Sequence, residues 1–230
     1  MNPKTALIVG TGPGLSASLA RLFTKHGLQV AMASRDPSKL AKLAEETAGI
    51  TFACEATEPE EVAGLFDAVV ATIGAPDIVV YNASARARGP VTDLDPAGVA
   101  RAIAVSAFGG FLVAQQAARL MAARGSGAIL LTGASASVKG YPNSSAFAMG
   151  KFALRGLAQS MARELSPMNV HVAHFVIDGG IRSASRIDPA NNPDSLLNPD
   201  DIAESYWYVA NQHRSAWTWE VELRPWVEKF

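Results

Sequence analysis

Seven short runs of β-branched and other apolar residues alternate along this chain with six longer segments in which apolar residues recur every three or four positions. The short runs have the length of buried strands, and the longer segments have the period of amphipathic helices. Such alternation is typical of a doubly wound α/β domain, a mainly parallel sheet with helices on both faces. The predicted strands are 5–9, 29–33, 51–54, 78–81, 128–131, 171–176 and 220–223, and the predicted helices are 15–26, 37–47, 59–73, 96–124, 144–165 and 199–211.

The length and composition fit one domain. The 230 residues are 49% hydrophobic and 18% charged, which suffices for a sizeable core, and no repeat or composition shift marks a boundary. We therefore expect a single domain over 1–230. The segment 181–200 is rich in proline and asparagine and follows the sixth strand, which predicts a mobile substrate loop beside the ligand-binding edge of the sheet.

Charge and cysteine content argue against several kinds of partner. Twenty basic residues balance 21 acidic ones, which leaves no surplus positive charge for nucleic acid or an anionic membrane. Glycines interrupt the apolar N-terminal run, and we expect no stretch of the roughly 18 apolar residues that a membrane span needs. The single cysteine, Cys54, cannot form an internal disulfide and favours a cytoplasmic protein. The four histidines are scattered without carboxylate partners at ligand spacing, so no metal site is expected.

A glycine-rich turn joins the first strand directly to the first helix. Glycine lets the backbone turn sharply and approach a pyrophosphate, whose charge is favoured by the free N–H groups at the helix start. Strand, glycine turn and helix in this order predict a nucleotide site in a Rossmann-type domain. The residues of this turn are Gly10, Thr11, Gly12, Pro13, Gly14 and Leu15.

The end of the second strand indicates which dinucleotide binds. An NAD site carries an acidic residue here to accept hydrogen bonds from ribose hydroxyls, but this chain has Ser34 and Arg35. A guanidinium accepts no hydrogen bond and suits the 2′-phosphate of NADP, to which Ser34 can also donate. The pair favours NADP(H); the alternative is a solvated arginine paired with Asp36 or another neighbour.

At five places the chain resembles the short-chain dehydrogenases/reductases, and the resemblance covers almost all of its length. The similar segments are the glycine turn, Cys54-Glu55-Ala56-Thr57, Tyr81-Asn82-Ala83-Ser84, Lys151 at the lysine of the YxxxK motif, and 178–183. The resemblance implies hydride transfer between NADP(H) and a small carbonyl or alcohol substrate, in a homodimer or homotetramer formed through the last strand and long helices. It also implies cofactor contacts at Glu55, Ala56, Asn82, Ala83, Ser84, Lys151, Gly179, Ile181 and Ser183.

The catalytic positions of that family are largely replaced, in a pattern that resembles a divergent subgroup with phenylalanine at the tyrosine position. The replacements are Phe147 for tyrosine, Ala134 for serine, Ser106 for asparagine and Ser16 for the third glycine of the loop. A phenylalanine ring donates neither a proton nor a hydrogen bond, so another acid must serve. Candidates are Ser135, Tyr141 and a water held by Lys151, which shares a helix face with Phe147.

These departures leave more than one function open. Losing a positioned acid typically costs about 10²- to 10⁴-fold in rate, which slows turnover without abolishing it. The chain is therefore expected to be an NADP(H)-dependent oxidoreductase, with a cofactor-binding pseudoenzyme of binding or regulatory role as the alternative. A non-redox enzyme that uses the same cleft is a weaker idea.

Three other features have two interpretations each. Asp178, where the family has proline, is expected to orient a substrate hydroxyl or to cap the turn before two glycines. His174 alternates with apolar residues and is expected to be a hydrogen-bonded core histidine rather than a general base. The aromatic C-terminus, with Trp217, Trp219 and Trp226, is expected to close the core or to form a subunit interface.

Overall fold

The computed structural model describes residues 3–229, and its seven strands form one sheet in which every neighbouring pair is parallel. The strand order is β3-β2-β1-β4-β5-β6-β7. Because the order reverses between β1 and β4, the topological switch point lies at the carboxyl ends of these two strands. The doubly wound α/β fold is confirmed. The strands are β1 (Thr5–Val9), β2 (Gln29–Ser34), β3 (Ile50–Ala53), β4 (Ile78–Tyr81), β5 (Gly127–Thr132), β6 (Val170–Ile177) and β7 (Glu220–Leu223).

Helices cover both faces of the sheet and divide the core into two layers. Successive residues of β1 point to opposite faces, so Ile8 packs in the layer of α1 and α7, whereas Leu7 packs in the layer of α3, α5 and α6. The helices are α1 (Leu15–Lys25), α2 (Ala41–Thr47), α3 (Pro59–Ile73), α4 (Pro96–Ile103), α5 (Gly109–Arg124), α6 (Ser145–Leu165) and α7 (Pro199–Ala210).

Two predicted helices are divided in the structure. A 3₁₀ turn at Pro37–Leu40 precedes α2, and a π-helical turn at Ala104–Phe108 separates α4 from α5. Within the π-helical turn, the carbonyl of Val105 accepts a hydrogen bond from the Tyr81 hydroxyl at the end of β4. The turn is therefore tied to the sheet edge at which ligands of such folds bind.

The segment from Pro96 to Arg124 is long and apolar enough to cross a membrane, with a mean hydropathy of 1.7 over its best window. The expectation that no stretch would reach this length is therefore wrong. Length and composition are weak evidence for a membrane span, however, because a core helix of a folded domain has the same properties. Val113, Ala117 and Met121 of this segment are buried in the core layer of α3 and α6. The cytoplasmic location stays a prediction.

The segment after β6 is irregular, as predicted, and its two ends lie next to each other. Ile181 pairs with Leu197 through an isolated β-bridge. Arg182 forms ion pairs with Asp188 and Asp194, which join the two halves of the segment. Its first residues are thereby held beside the carboxyl end of β6, and its mobility stays a prediction.

The C-terminal aromatic residues divide between the two expected roles. Tyr206 is fully buried and stacks on Phe175, and Trp217 stacks on His171, so these rings close the core around β6. Trp226 is 71% exposed. It remains available for an interface.

Candidate active site

A cleft of about 520 Å³ opens at the switch point between β1 and β4. It brings together the predicted cofactor residues from the ends of the first four strands. A smaller cavity of about 270 Å³ runs from the glycine turn, including Gly14 and Leu15, to Ile181 and Ser183. The predicted residues that line the larger cleft are Gly10, Thr11, Gly12, Pro13, Ser34, Arg35, Glu55, Ala56, Asn82, Ala83 and Ser84.

The three glycines of the turn are present for different reasons. Gly10 has a φ of +85°, and a Cβ there would lie 2.3 Å from the backbone nitrogen of Ala83, so only glycine fits. A Cβ at Gly12 or Gly14 would meet no atom within 4 Å. Packing of the chain itself therefore does not demand these two glycines, whose missing side chains leave the cleft open beside the N-terminus of α1.

Ser16, at the position of the family's third glycine, fixes the shape of the turn. The Asn82 side-chain amide donates to Ser16 Oγ at 2.7 Å, and Ser16 Oγ donates to the carbonyl of Gly10 at 3.1 Å. The Thr11 hydroxyl donates to the carbonyl of Ile8 at 2.9 Å. The turn is thus held by buried hydrogen bonds of its own, which the sequence pattern did not predict.

The end of β2 carries an unpartnered hydroxyl beside two cations. Ser34 Oγ is buried and has no hydrogen-bond partner within residues 3–229. Arg35 is exposed, and Asp36 instead pairs with Lys39 at 3.2 Å, so the predicted alternative of an Arg35–Asp36 pair is wrong. Hydrogen bonds from Ser38 and Lys39 hold the pKa of Asp36 below its ordinary value. Lys39 lines the cleft with Arg35, and sequence reasoning missed it.

The residues that follow β3 are already engaged with neighbouring helices. The Glu55 carboxylate lies 3.6 Å from Arg101, and its backbone N–H donates to Glu61 at 2.7 Å. Burial raises the pKa of the adjacent Cys54 thiol to about 11. The cysteine is therefore protonated at neutral pH and is a poor nucleophile.

Lys151 is almost fully buried on α6, at 2% exposure. Its Nζ donates to the carbonyl of Thr132, at the end of β5, at 2.6 Å. Burial, with a smaller contribution from the Arg86 charge, lowers the pKa of Lys151 from 10.5 to about 7. An amine with this pKa can both hold and release a proton near neutral pH.

Small residues bring α6 close enough for this placement. A Cβ at Gly150 would lie 2.7 Å from the Cβ of Ser106, which is fully buried in the π-helical turn. Glycine next to Lys151 therefore allows α6 to pack directly against that turn.

Phe147 fills the position next to Lys151, and a guanidinium lies over its ring. The side chain of Phe147 is buried, with the Arg86 guanidinium carbon 4.1 Å and Lys151 Nζ 5.9 Å from the ring centroid. Partial burial and the charges of Arg88 and Arg186 lower the pKa of Arg86. Sequence reasoning missed Arg86, although its position shortly after β4, at the ligand-binding edge, was a usable signal.

The other two candidate acids lie between β5 and α6. Ser135 opens a 3₁₀ turn and is half-buried, and among the described residues its hydroxyl has no hydrogen-bond partner. Tyr141 is 43% exposed. Neither hydroxyl makes a hydrogen bond within the described chain. Ser135 is half-buried, whereas Tyr141 is exposed.

His174 is a buried, hydrogen-bonded core histidine, as expected, whereas Asp178 does not cap the turn among the described residues. His174 is fully buried, with Nδ1 3.1 Å from a Glu220 carboxylate that also binds Arg155, and burial lowers the pKa of His174 to about 4. Its Nε2 has no hydrogen-bond partner in the described part of the chain. Asp178 is buried and forms an ion pair at 3.0 Å with Lys139, whose side chain is 38% exposed.

One predicted cofactor contact near the end of β6, Gly179, is required to be glycine by the backbone and its packing. Gly179 has a φ of +155°, and a Cβ there would lie 2.7 Å from the Pro225 ring, so the position requires glycine.

Among residues 3–229, no group of three or more histidine, cysteine or acidic side chains is arranged to hold a metal ion.

Residues 4–189 match the family model of the short chain dehydrogenases, which is most of the chain. The protein belongs to the short-chain dehydrogenase family. It is 33% identical over 228 residues to secoisolariciresinol dehydrogenase from Forsythia intermedia, with 90% of this chain and 82% of that enzyme covered. As a short-chain dehydrogenase, it is an oxidoreductase.

Solved structures of short-chain dehydrogenases have the same architecture. A short-chain dehydrogenase from Rhodopseudomonas palustris is 33% identical with a TM-score of 0.85, covering 98% of this chain and 100% of that one. A metagenomic short-chain oxidoreductase, solved in complex with NADP, is 28% identical with a TM-score of 0.83, covering 96% and 97%. The family resemblance predicted from the sequence is thereby confirmed.

Proposed function

We propose that this protein is an NADP(H)-dependent oxidoreductase that transfers hydride between nicotinamide and a small carbonyl or alcohol substrate. The observation that carries the proposal is the buried hydroxyl of Ser34, which has no hydrogen-bond partner among the described residues and lies in the same cleft as Arg35 and Lys39. A buried donor without a partner costs about 1–3 kcal/mol, which a ligand oxygen would recover. A 2′-phosphate supplies such oxygens and the negative charge that the two cations favour.

The remaining cofactor contacts follow from the shape of the cleft. When bound, NADPH supplies the hydride. Backbone N–H groups from Gly12 to Leu15 would hold its pyrophosphate, because the open glycines let it approach the start of α1. Lys151 would bind the nicotinamide ribose, and Gly179, Ile181 and Ser183 would lie along the nicotinamide.

Proton delivery falls to Lys151 in this proposal. Its ammonium is oriented by the Thr132 carbonyl, and its pKa near 7 matches the task of donating to a carbonyl oxygen as the carbon is reduced. The Ser135 hydroxyl, free of partners in the described chain, would donate a hydrogen bond to the same oxygen. Phe147 would keep water from the buried amine. We propose on this basis that the chain is one of a subgroup with phenylalanine at the tyrosine position. Tyr141 is the alternative acid.

We further propose that the protein is a homodimer or homotetramer. Four large apolar side chains on the π-helical turn, α5 and α6 are between 39% and 54% exposed, and two of them, Phe108 and Phe111, stack on each other. Exposed aromatic residues grouped on two long helices are typical of subunit interfaces. Sedimentation analysis tests this proposal, since a monomer at micromolar concentration would contradict it. The four residues are Phe108, Phe111, Met149 and Phe152.

The decisive experiment adds NADPH and then a panel of ketones and aldehydes. Fluorescence titration should show NADPH binding, and loss of NADPH absorbance should follow with at least one carbonyl compound. Phe147→Tyr should raise that rate if a hydroxyl beside Lys151 is what the site lacks. Binding without turnover of any compound would instead favour a pseudoenzyme that binds the cofactor for a binding or regulatory role. Absence of NADPH binding would overturn the proposal.

A further inference from the structure

Three arginines, Arg86, Arg88 and Arg186, act on one another through their charges, and Arg86 lies over the Phe147 ring. Arg86 and Arg88 follow β4, and Arg186 comes from the irregular segment after β6. Their charges act on one another, since Arg88 and Arg186 both contribute to the lowered pKa of Arg86. The Arg186 guanidinium lies against Gly180, within 3.3 Å of where a Cβ would stand. The group therefore comes from two separate parts of the chain, and its member Arg86 lies beside Phe147, the ring that also contacts Lys151.

No carboxylate neutralises this arginine group within residues 3–229. Ion pairs are present elsewhere in the same segment, where Arg182 binds Asp188 and Asp194. For Arg86, the contact found is with the Phe147 ring, 4.1 Å from the guanidinium carbon. Holding three like charges near one another is unfavourable unless an anion joins them, because guanidinium groups bind carboxylates and phosphates through paired hydrogen bonds.

The arginine group is distinct from the cofactor cradle. The cavities beside the glycine turn are lined by Arg35, Lys39, Arg101 and Arg182, whereas Arg86 lies beside Phe147 and acts on Lys151, the proposed proton donor. An anion bound at Arg86 would thus lie next to the carbon that reacts and away from the pyrophosphate.

We infer that the substrate is a small carbonyl compound that carries an oxyanion group, carboxylate or phosphate, and that Arg86, with Arg88 and Arg186, binds this group. The inference rests on the proposed function and adds the class of substrate to it.

Matched pairs of carbonyl compounds test the inference. Pyruvate, acetoacetate and levulinate are compared with their methyl esters, and dihydroxyacetone phosphate with dihydroxyacetone. Calorimetry on NADP⁺-loaded protein measures binding where reduction cannot occur, and NADPH oxidation measures turnover. At least one anion should bind and react about tenfold or more better than its neutral partner, and the preference should shrink at high salt. The pair that responds tells a carboxylate from a phosphate.

Variants assign the effect to the arginines. Arg86→Ala should lower kcat/KM for the preferred anion by about 10- to 100-fold and change that for the neutral partner by less than about threefold. Arg86→Lys should recover part of the loss, since it restores the charge without the planar fork. Arg186→Ala, which leaves the Phe147 packing intact, should lower anion binding by about three- to tenfold. Arg119→Ala, an exposed arginine on α5, is the control and should change neither value.

The outcomes separate this inference from the proposed function. If NADPH fails to bind the wild type, the proposed function fails first. If NADPH binds but the neutral compounds bind and react as well as the anions, or no anion binds at millimolar concentration, only the inference is overturned. Equal loss for anion and ester in Arg86→Ala would also overturn it, because Arg86 would then support Phe147 without binding the substrate.

Discussion

The two ends of the cleft differ in how closely they follow the short-chain dehydrogenase pattern. At the cofactor end, Gly10, Gly12 and Gly14 are present, and the replacement at Ser16 supplies a hydroxyl that fixes the turn. At the catalytic end, the sequence resemblance predicts that Phe147, Ala134 and Ser106 stand at the tyrosine, serine and asparagine positions. A phosphate site is built from backbone N–H groups and tolerates side-chain changes, whereas proton transfer depends on particular hydroxyl and amine groups.

Burial of charge divides the two ends in the same way. Arg35 and Lys39 are exposed at the cofactor end, where they can meet a phosphate without prior desolvation. Lys151 is buried at the catalytic end, and its charged form is disfavoured. The exposed cations at the cofactor end are thus suited to bind phosphate, and the buried amine at the catalytic end is suited to exchange a proton.

The largest expected effect comes from removing the buried amine. Lys151→Met keeps the length of the side chain and should lower the turnover of carbonyl reduction by about 10²- to 10⁴-fold, because the proposed proton source is lost. Stopped-flow or steady-state NADPH oxidation measures it, with far-UV circular dichroism to confirm folding. Arg163→Met, an exposed cation on the same helix, is the control and should keep wild-type turnover. A Lys151→Met protein that retains a tenth of wild-type turnover would remove Lys151 from the chemistry.

The next effect addresses the cofactor end. Arg35→Ala should lower the preference for NADPH over NADH by about 10- to 100-fold through the KM for NADPH, because a charge-assisted contact to the 2′-phosphate is lost. Steady-state kinetics with both cofactors measures the change. Arg21→Ala removes a comparably exposed arginine that pairs with Glu46 and should leave the preference unchanged. An unaltered preference in Arg35→Ala would show that Arg35 is only a solvated side chain.

The same contrast explains what the sequence could predict. Strands and helices were predicted nearly to the residue because β-branched runs, helical periods and prolines at helix starts are local signals. The residues that line the cleft could also be predicted, since they follow strand ends whose order the fold dictates. Their contacts to a cofactor stay a prediction. The turn at Gly10, with its positive φ, is such a local signal.

The rest depends on contacts between distant parts of the chain. The π-helical turn packs on Gly150, the Phe147 ring lies under Arg86, and His174 meets Glu220, 46 residues away. No local pattern encodes such pairs, so the Glu220 partner of His174 was not predicted. Lys39 was missed for the same reason, because its place beside Arg35 depends on how the 3₁₀ turn folds back over the cleft.

A smaller effect is a pH dependence that belongs to the catalytic end alone. Because the proposed donor must be protonated, kcat/KM for carbonyl reduction should fall about tenfold per pH unit above the pKa of Lys151. That pKa should lie between about 7, its value without cofactor, and the ordinary 10.5, since the phosphates of NADPH favour the charged amine. The fall should be absent from the residual activity of Lys151→Met. A wild-type profile that is flat over this range would contradict the assignment.

The lowered pKa of Lys151 also makes the free energy of unfolding depend on pH. Between about pH 7 and 10.5 the unfolded chain binds a proton at this lysine that the folded chain does not, so its contribution to the free energy of unfolding rises with pH across that window. Urea titrations at several pH values should show a smaller rise in Lys151→Met than in the wild type. Equal pH dependence in both proteins would mean that the buried amine keeps its ordinary pKa.

The smallest effect distinguishes binding from packing at Ser34. Removing a buried hydroxyl that has no partner in the described chain should leave the free energy of unfolding of the cofactor-free protein unchanged or slightly higher in Ser34→Ala. The same substitution should weaken NADPH binding by about two- to tenfold, the worth of one hydrogen bond, and leave NADH binding nearly unchanged. Thermal unfolding and fluorescence titration measure the two. Ser18→Ala, another buried serine, on α1, is the control for stability. Weaker NADPH binding without loss of stability in Ser34→Ala would mean that the hydroxyl serves the ligand. Loss of stability with unchanged NADPH affinity would mean that the hydroxyl serves the fold and that the cations at the end of β2 bind the phosphate without it.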